Sequence, residues 1–98
     1  MWTGWIEFDV LLGDVHSLKQ KRAILRPILA ELHRKYAVSA AETGNLDLHR
    51  RAGLGASVVA ADSRHVIDVL DSVENLVAGR PEIELLSARR GLHHSDDE

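Results

Sequence analysis

Trp2-Thr3-Gly4-Trp5-Ile6-Glu7-Phe8-Asp9-Val10-Leu11-Leu12 decides the fold, together with the order of the runs after it. The run alternates, the period of a strand that buries one face. Trp2, Ile6, Phe8, Val10 and Leu12 share one face, and Thr3, Trp5, Glu7, Asp9 and Leu11 share the other. After Ser17 the apolar period changes to that of a helix, from Leu18 to Tyr36. Two short strand-like runs come next, Val38 to Thr43 and Leu54 to Ala61. A second helical run, Ser63 to Ala78, and a last alternating run, Glu82 to Ala88, complete the pattern.

The order β-α-β-β-α-β predicts an α+β, ferredoxin-like domain: a four-stranded antiparallel sheet with two helices on one face. The 98 residues suffice for one domain with a modest core. Residues 1–92 are expected to form it, and residues 93–98 (His93, His94, Ser95, Asp96, Asp97, Glu98) to be a short, solvated, acidic tail with histidines. No run approaches about 20 apolar residues, so no membrane-spanning helix is expected. Glu7 and Asp9 interrupt any signal-like apolar core, and the cytoplasm is the expected compartment. The chain has no cysteine, which removes disulfides, thiolate catalysis and Cys-based zinc sites. A net charge of -3 argues against binding nucleic acid over the whole surface.

A local basic patch is nevertheless written into the first helix. Six of the twelve Lys and Arg residues lie between Lys19 and Lys35, with Glu31 the one acid among them. At about 100° per residue, Leu18, Leu25, Leu29, Leu32 and Tyr36 form an apolar seam, widened by Ile24 and Ile28. Lys19, Arg22, Arg26 and His33 stack along one flank, and Lys21 lies on the Ile28 side. Pro27 removes a hydrogen bond inside this helix and predicts a kink near Ala23 to Arg26, or two abutting pieces. The second helix has a seam of Val66, Leu70, Val73 and Val77, with Asp68, Asp71 and Glu74 outside it. The basic stripe has two readings: pairing with the acids of the second helix, or a free surface for phosphates.

The strand faces turned away from the helices carry Trp5, Leu11, Val59 and Leu86. Ile83 and Leu85 are expected in the core, leaving Glu84, Leu86 and Ala88 opposite. Such an apolar face points to a homodimer. It is a poor RNA platform, because the third strand has no aromatic to stack on a base, and Glu7 and Asp9 repel phosphate. Any RNA contact should therefore use Lys19, Lys21, Arg22 and Arg26, helped by Arg50 and Arg51.

Two loops carry functional side chains. Gly13-Asp14-Val15-His16-Ser17 precedes a helix start, yet Asp14 opposes an anion there, so it reads as a turn. In the segment Glu42 to Arg51, the residues Glu42, Asp47 and His49 offer metal or acid–base chemistry without a recognised ligand spacing. An ordered, partly helical loop is the expectation, with neither metal nor cofactor.

Several stretches resemble the bacterial YlxP-like family: Trp2-Thr3-Gly4, Leu12-Gly13-Asp14, Ser17-Leu18-Lys19-x-Lys21-Arg22, Ala41-Glu42-x-Gly44 with Asp47-Leu48, and Ala52-Gly53-Leu54-Gly55. The likeness runs from Met1 to Leu92. It implies a small ferredoxin-like protein of a family whose function is itself unknown. Family genes often lie near those of translation initiation and ribosome maturation factors, which implies an accessory role near RNA or a ribosomal subunit. The acylphosphatases share the size and fold, but Gly13, Val15 and Arg22 echo their phosphate loop only faintly. The chain is accordingly expected not to be an enzyme.

Overall fold

The computed structural model describes residues 1–97. Its elements are β1 (Trp2–Leu12), α1 (Leu18–Tyr36), β2 (Ser39–Gly44), β3 (Arg51–Ala60), α2 (Ser63–Ala78) and β4 (Ile83–His94). The sheet order is β2-β3-β1-β4, antiparallel throughout. This is the ferredoxin-like arrangement the periods predict. No helix among the described residues is long and apolar enough to cross a membrane.

β1 is central because its alternation serves two neighbours at once. Ile6, Phe8, Val10 and Leu12 are buried under the helices. Ala52, Leu54, Ala56 and Val58 of β3 join them, as do Val66, Leu70, Val73 and Val77 of α2. Asp62 caps α2 by accepting from the Arg64 N–H (2.9 Å), and Ser17 caps α1 by accepting from the Gln20 N–H (3.1 Å). α1 is a single helix with Pro27 inside it, so the reading as two abutting pieces is not realised.

Three features depart from the sequence expectations. β4 does not end at Ala88: it continues to His94, pairing Arg89 to His94 with Glu7 to Trp2. The polar run Arg89 to His94 hid this strand, because an edge strand needs no apolar alternation on both sides. The predicted tail boundary at 93 is thus corrected. His93 and His94 are strand residues, and the Ser95 N–H donates to the Met1 carbonyl (2.8 Å). Glu98 lies outside the described residues. Second, β4 carries a bulge, with Asp9 opposite Ser87 but Val10 opposite Leu85, so Leu86 is the extra residue. The bulge inverts the facing beyond it, and Ala88 lies opposite core-facing Phe8, on the helix side. Third, the segment after β2 is a turn, with the Leu48 N–H donating to the Asn45 carbonyl (3.0 Å), and it contains no helix.

Gly4 sets how closely α2 approaches the sheet. A Cβ there would lie 2.2 Å from Val66 Cγ1 and 3.0 Å from Leu70 Cδ1. Gly4→Ala should therefore push α2 outward and destabilise the protein by about 1–3 kcal/mol. Urea unfolding should show a lower midpoint with an unchanged slope.

Candidate nucleic-acid interface

The buried line of α1 is Lys21, Leu25, Ile28 and Leu32, at spacings of four, three and four. The helix is thus turned away from the seam read from sequence, and Leu18, Leu29 and Tyr36 sit half-buried at its margin. This rotation removes Lys21 from the expected RNA-contacting set. Its side chain is 1% exposed. Nζ donates to the Asn45 carbonyl (2.7 Å) and lies 2.7 Å from Glu42 Oε2. That buried carboxylate oxygen accepts no aligned hydrogen bond, so its partnership with Lys21 is one of charge. Lys21 ties α1 to β2 and to the turn after it.

Lys19, Arg22 and Arg26 remain exposed along one flank of α1. The first and last are seven positions apart, about 10 Å along the axis. Among the described residues no carboxylate lies within ion-pair reach of any of them. His33, on the same flank, is hydrogen bonded with the Ala40 carbonyl of β2 (3.1 Å).

The acids expected to neutralise this stripe are engaged elsewhere. Asp71 and Glu74 of α2 hold Arg90 of β4, at 2.9 and 3.0 Å. Burial works against the Arg90 charge, but its hydrogen bonds to these two acids outweigh it and raise its pKa. Glu31 lies on the far flank of α1, bound to Lys35 (2.8 Å) and Arg80 (2.6 Å). The hydrogen bond from Lys35 holds its carboxyl below the ordinary value. The pairing of the stripe with Asp71 and Glu74 is therefore not the arrangement formed.

Arg50 and Arg51 part company. Arg50 Nε donates to the Gly13 carbonyl (2.8 Å), which holds the β2–β3 turn against the start of α1. Arg51 is on the opposite side of the sheet, where it grips Asp9 with two nitrogens. Asp9 raises the Arg51 pKa through that hydrogen bonding and its charge. Arg51 is thus removed from the phosphate-contacting set. Glu42, Asp47 and His49 are not brought together either: Glu42 is drawn under α1, and the other two are exposed in the turn. Among the described residues no cluster of three His, Asp or Glu forms.

On the sheet face away from the helices, Trp5 and Val59 lie toward one end, Leu11 and Leu86 toward the other. Between them runs a belt of charge. Glu7 accepts from Arg89 (2.6 Å) and from the Thr43 hydroxyl (2.9 Å), and Asp9 holds Arg51. The expected apolar patch is therefore two patches. Cross-strand partners such as Arg89 and Thr43 are invisible to a reading of single strands.

These contacts generate two predictions. Lys21→Met leaves Glu42 without its cation and should cost about 2–3 kcal/mol, less than a fully buried pair because Glu42 keeps some solvent. Lys21→Met with Glu42→Leu should recover much of that in urea unfolding. Hydrogen bonds from Arg89 and Thr43 hold the Glu7 carboxyl below its ordinary value. A lowered folded pKa contributes stability above the unfolded value and loses it as pH falls through the folded one. Arg89→Ala should move the Glu7 carboxyl carbon titration by NMR up toward the ordinary glutamate range, and acid unfolding should begin at higher pH.

Comparison with known proteins agrees with this fold. The chain is similar to the uncharacterized protein YlxP of Bacillus subtilis, 33% identical over 81 residues, covering 83% of this chain and 88% of that one. A candidate antibiotic biosynthesis monooxygenase from Chloroflexus aurantiacus superposes with a TM-score of 0.57 at 16% identity, covering 100% of this chain and 98% of that one. A designed protein with a ferredoxin fold superposes at 0.54 and 14% identity, covering 99% and 89%. At such identities these two structures show the fold alone. The model of the protein family of unknown function DUF503 matches residues 3–90, and the chain belongs to that family.

Proposed function

We propose that this protein is a non-enzymatic accessory factor that contacts structured RNA, as on a ribosomal subunit, through Lys19, Arg22 and Arg26 of α1. One observation carries the reading: these three cations are exposed on one flank with no carboxylate within ion-pair reach among the described residues, although the chain as a whole is acidic. A net-negative protein with a segregated basic stripe attracts phosphate locally and repels it elsewhere. The stripe is firmly mounted, since Leu25, Ile28 and Leu32 on the inner side of the same helix are buried. Side chains of this kind position RNA by its backbone, and sequence plays little part. Arg50 adjoins the helix start and supplies a further cation.

Three phosphate contacts imply a salt slope of about -2 to -3. Affinity should therefore fall about 40-fold between about 50 and 200 mM salt. Co-sedimentation with ribosomal subunits on sucrose gradients at both salts reads this directly. Co-migration with one subunit that weakens with salt is expected. Lys19→Glu with Arg22→Glu should abolish it with an unchanged circular dichroism spectrum, whereas Arg51→Ala should leave it intact. Protein that stays at the top of the gradient at both salts, or a charge-reversed variant that still co-migrates, overturns the reading.

A further inference from the structure

We infer that the open sheet face is a homodimer surface, on which Trp5 of each copy fills a cleft in the other. The cleft, of ≈ 320 Å³, is lined by Trp5, Glu7, Ser39, Ala41, Thr43, Gly55 and Ser57 together with the adjoining backbone. It opens beside Ser57, where β2 and β3 present only small side chains; farther along, the Thr43 side chain lies over Gly55 and the Gly44 backbone over Gly53. Beside it, β1 presents Trp5, Glu7 and Asp9 as a ridge. The register sets Trp5 beside this opening, since Trp5 pairs with Ser57.

That pairing makes the face complementary to itself. A two-fold axis along the strands, between β1 and β3, lays β1 of one copy over β3 of the other. Trp5 of each copy then meets the cleft beside Ser57 of its partner. The same axis lays β4 over β2. The Trp5 indole leans over β4, since a Cβ on Gly91 would lie 2.3 Å from its Nε1. It thereby faces the partner's cleft, between Ser39 and Ser57. Sheets stacked this way cross at about 30° and sit about 10 Å apart.

Charge and area both favour a second copy as the occupant. The central charges cancel within each face, Glu7 against Arg89 and Asp9 against Arg51, before any partner arrives. Two identical faces therefore meet without like-charge repulsion, and Glu84 is left at the rim. A phosphate polymer gains nothing there, because both arginines are engaged. Four strands spaced by about 4.8 Å and some 10 residues long present about 600 Å². Two such faces bury about 1,200 Å², the lower range of a specific interface. Val59, 61% exposed, and Leu86, 44% exposed, extend the apolar contact beyond the central belt. The arrangement goes beyond the RNA reading without competing with it, since each α1 stripe stays on the outside.

Sedimentation equilibrium from about 1 to 100 μM tests the inference. The wild type should approach twice the chain mass of 10.9 kDa. Trp5→Glu and Ser57→Arg should each weaken association at least tenfold and return the mass toward 10.9 kDa. Lys19→Glu should not change it. Ser57 is exposed, so Ser57→Arg carries the test even where Trp5→Glu fails to fold. A wild type that stays at 10.9 kDa throughout overturns the inference. So does a Ser57→Arg variant that dimerises as tightly as the wild type.

Discussion

The two ladders of β1 are the constraint on which the rest of the molecule depends. This strand of 11 residues pairs with β3 along one edge and with β4 along the other. Its inward residues Ile6, Phe8, Val10 and Leu12 are the floor on which both helices rest. Burying such side chains stabilises by roughly 1.5–3 kcal/mol each. A slip of one residue would turn all of them to the open face, so the register has little freedom. Gly4 lets α2 approach, and the bulge at Leu86 lets β4 follow β1 over its full length. Everything functional is mounted on this frame.

Ion pairs then decide where charge is free. Exposed pairs contribute little to stability, about 0–1 kcal/mol each, so their effect here is mainly one of partition. Arg90, at the far edge of the sheet, draws Asp71 and Glu74 toward itself. Arg80, just after α2, draws Glu31. Asp71, Glu74 and Glu31 are thereby committed to partners other than Lys19, Arg22 and Arg26. Lys21 differs from the other helix cations in its burial. It is buried, and it directs its charge to Glu42 and its hydrogen bond to the Asn45 carbonyl. One basic segment thus holds two kinds of lysine, one joining elements together and one left to solvent.

The two sides of the sheet differ in the same physical terms. The helix side ends in an outer surface with uncompensated positive charge on α1. The open side is compensated within itself, with Trp5 on β1 and a cleft beside Ser57 of β3. Such a division lets one small domain present a charged surface and a neutral, shape-bearing one at once. The faces are separated by the sheet and the core, so occupation of one leaves the other accessible.

Period alone carried most of the architecture. α1 and α2 have the bounds that their helical periods and caps predict, and β1 has the bounds of its alternation, because each pattern is a local consequence of burying one face. The exposed positions of Lys19, Arg22 and Arg26 were legible for the same reason. What period could not reveal lies between elements. Arg89 to His94 carries no strand alternation of its own, yet it pairs along the second edge of β1. Lys21 shares the spacing of Leu25 and Ile28 and is buried with them, but only the fold brings Glu42 and the Asn45 carbonyl to its ammonium group. Arg51 adjoins Arg50 in the chain, yet the alternation of β3 turns it to Asp9 on the other side of the sheet. Burial of a face is encoded in neighbouring residues. The fate of a charge depends on groups distant in sequence, and only their packing determines it.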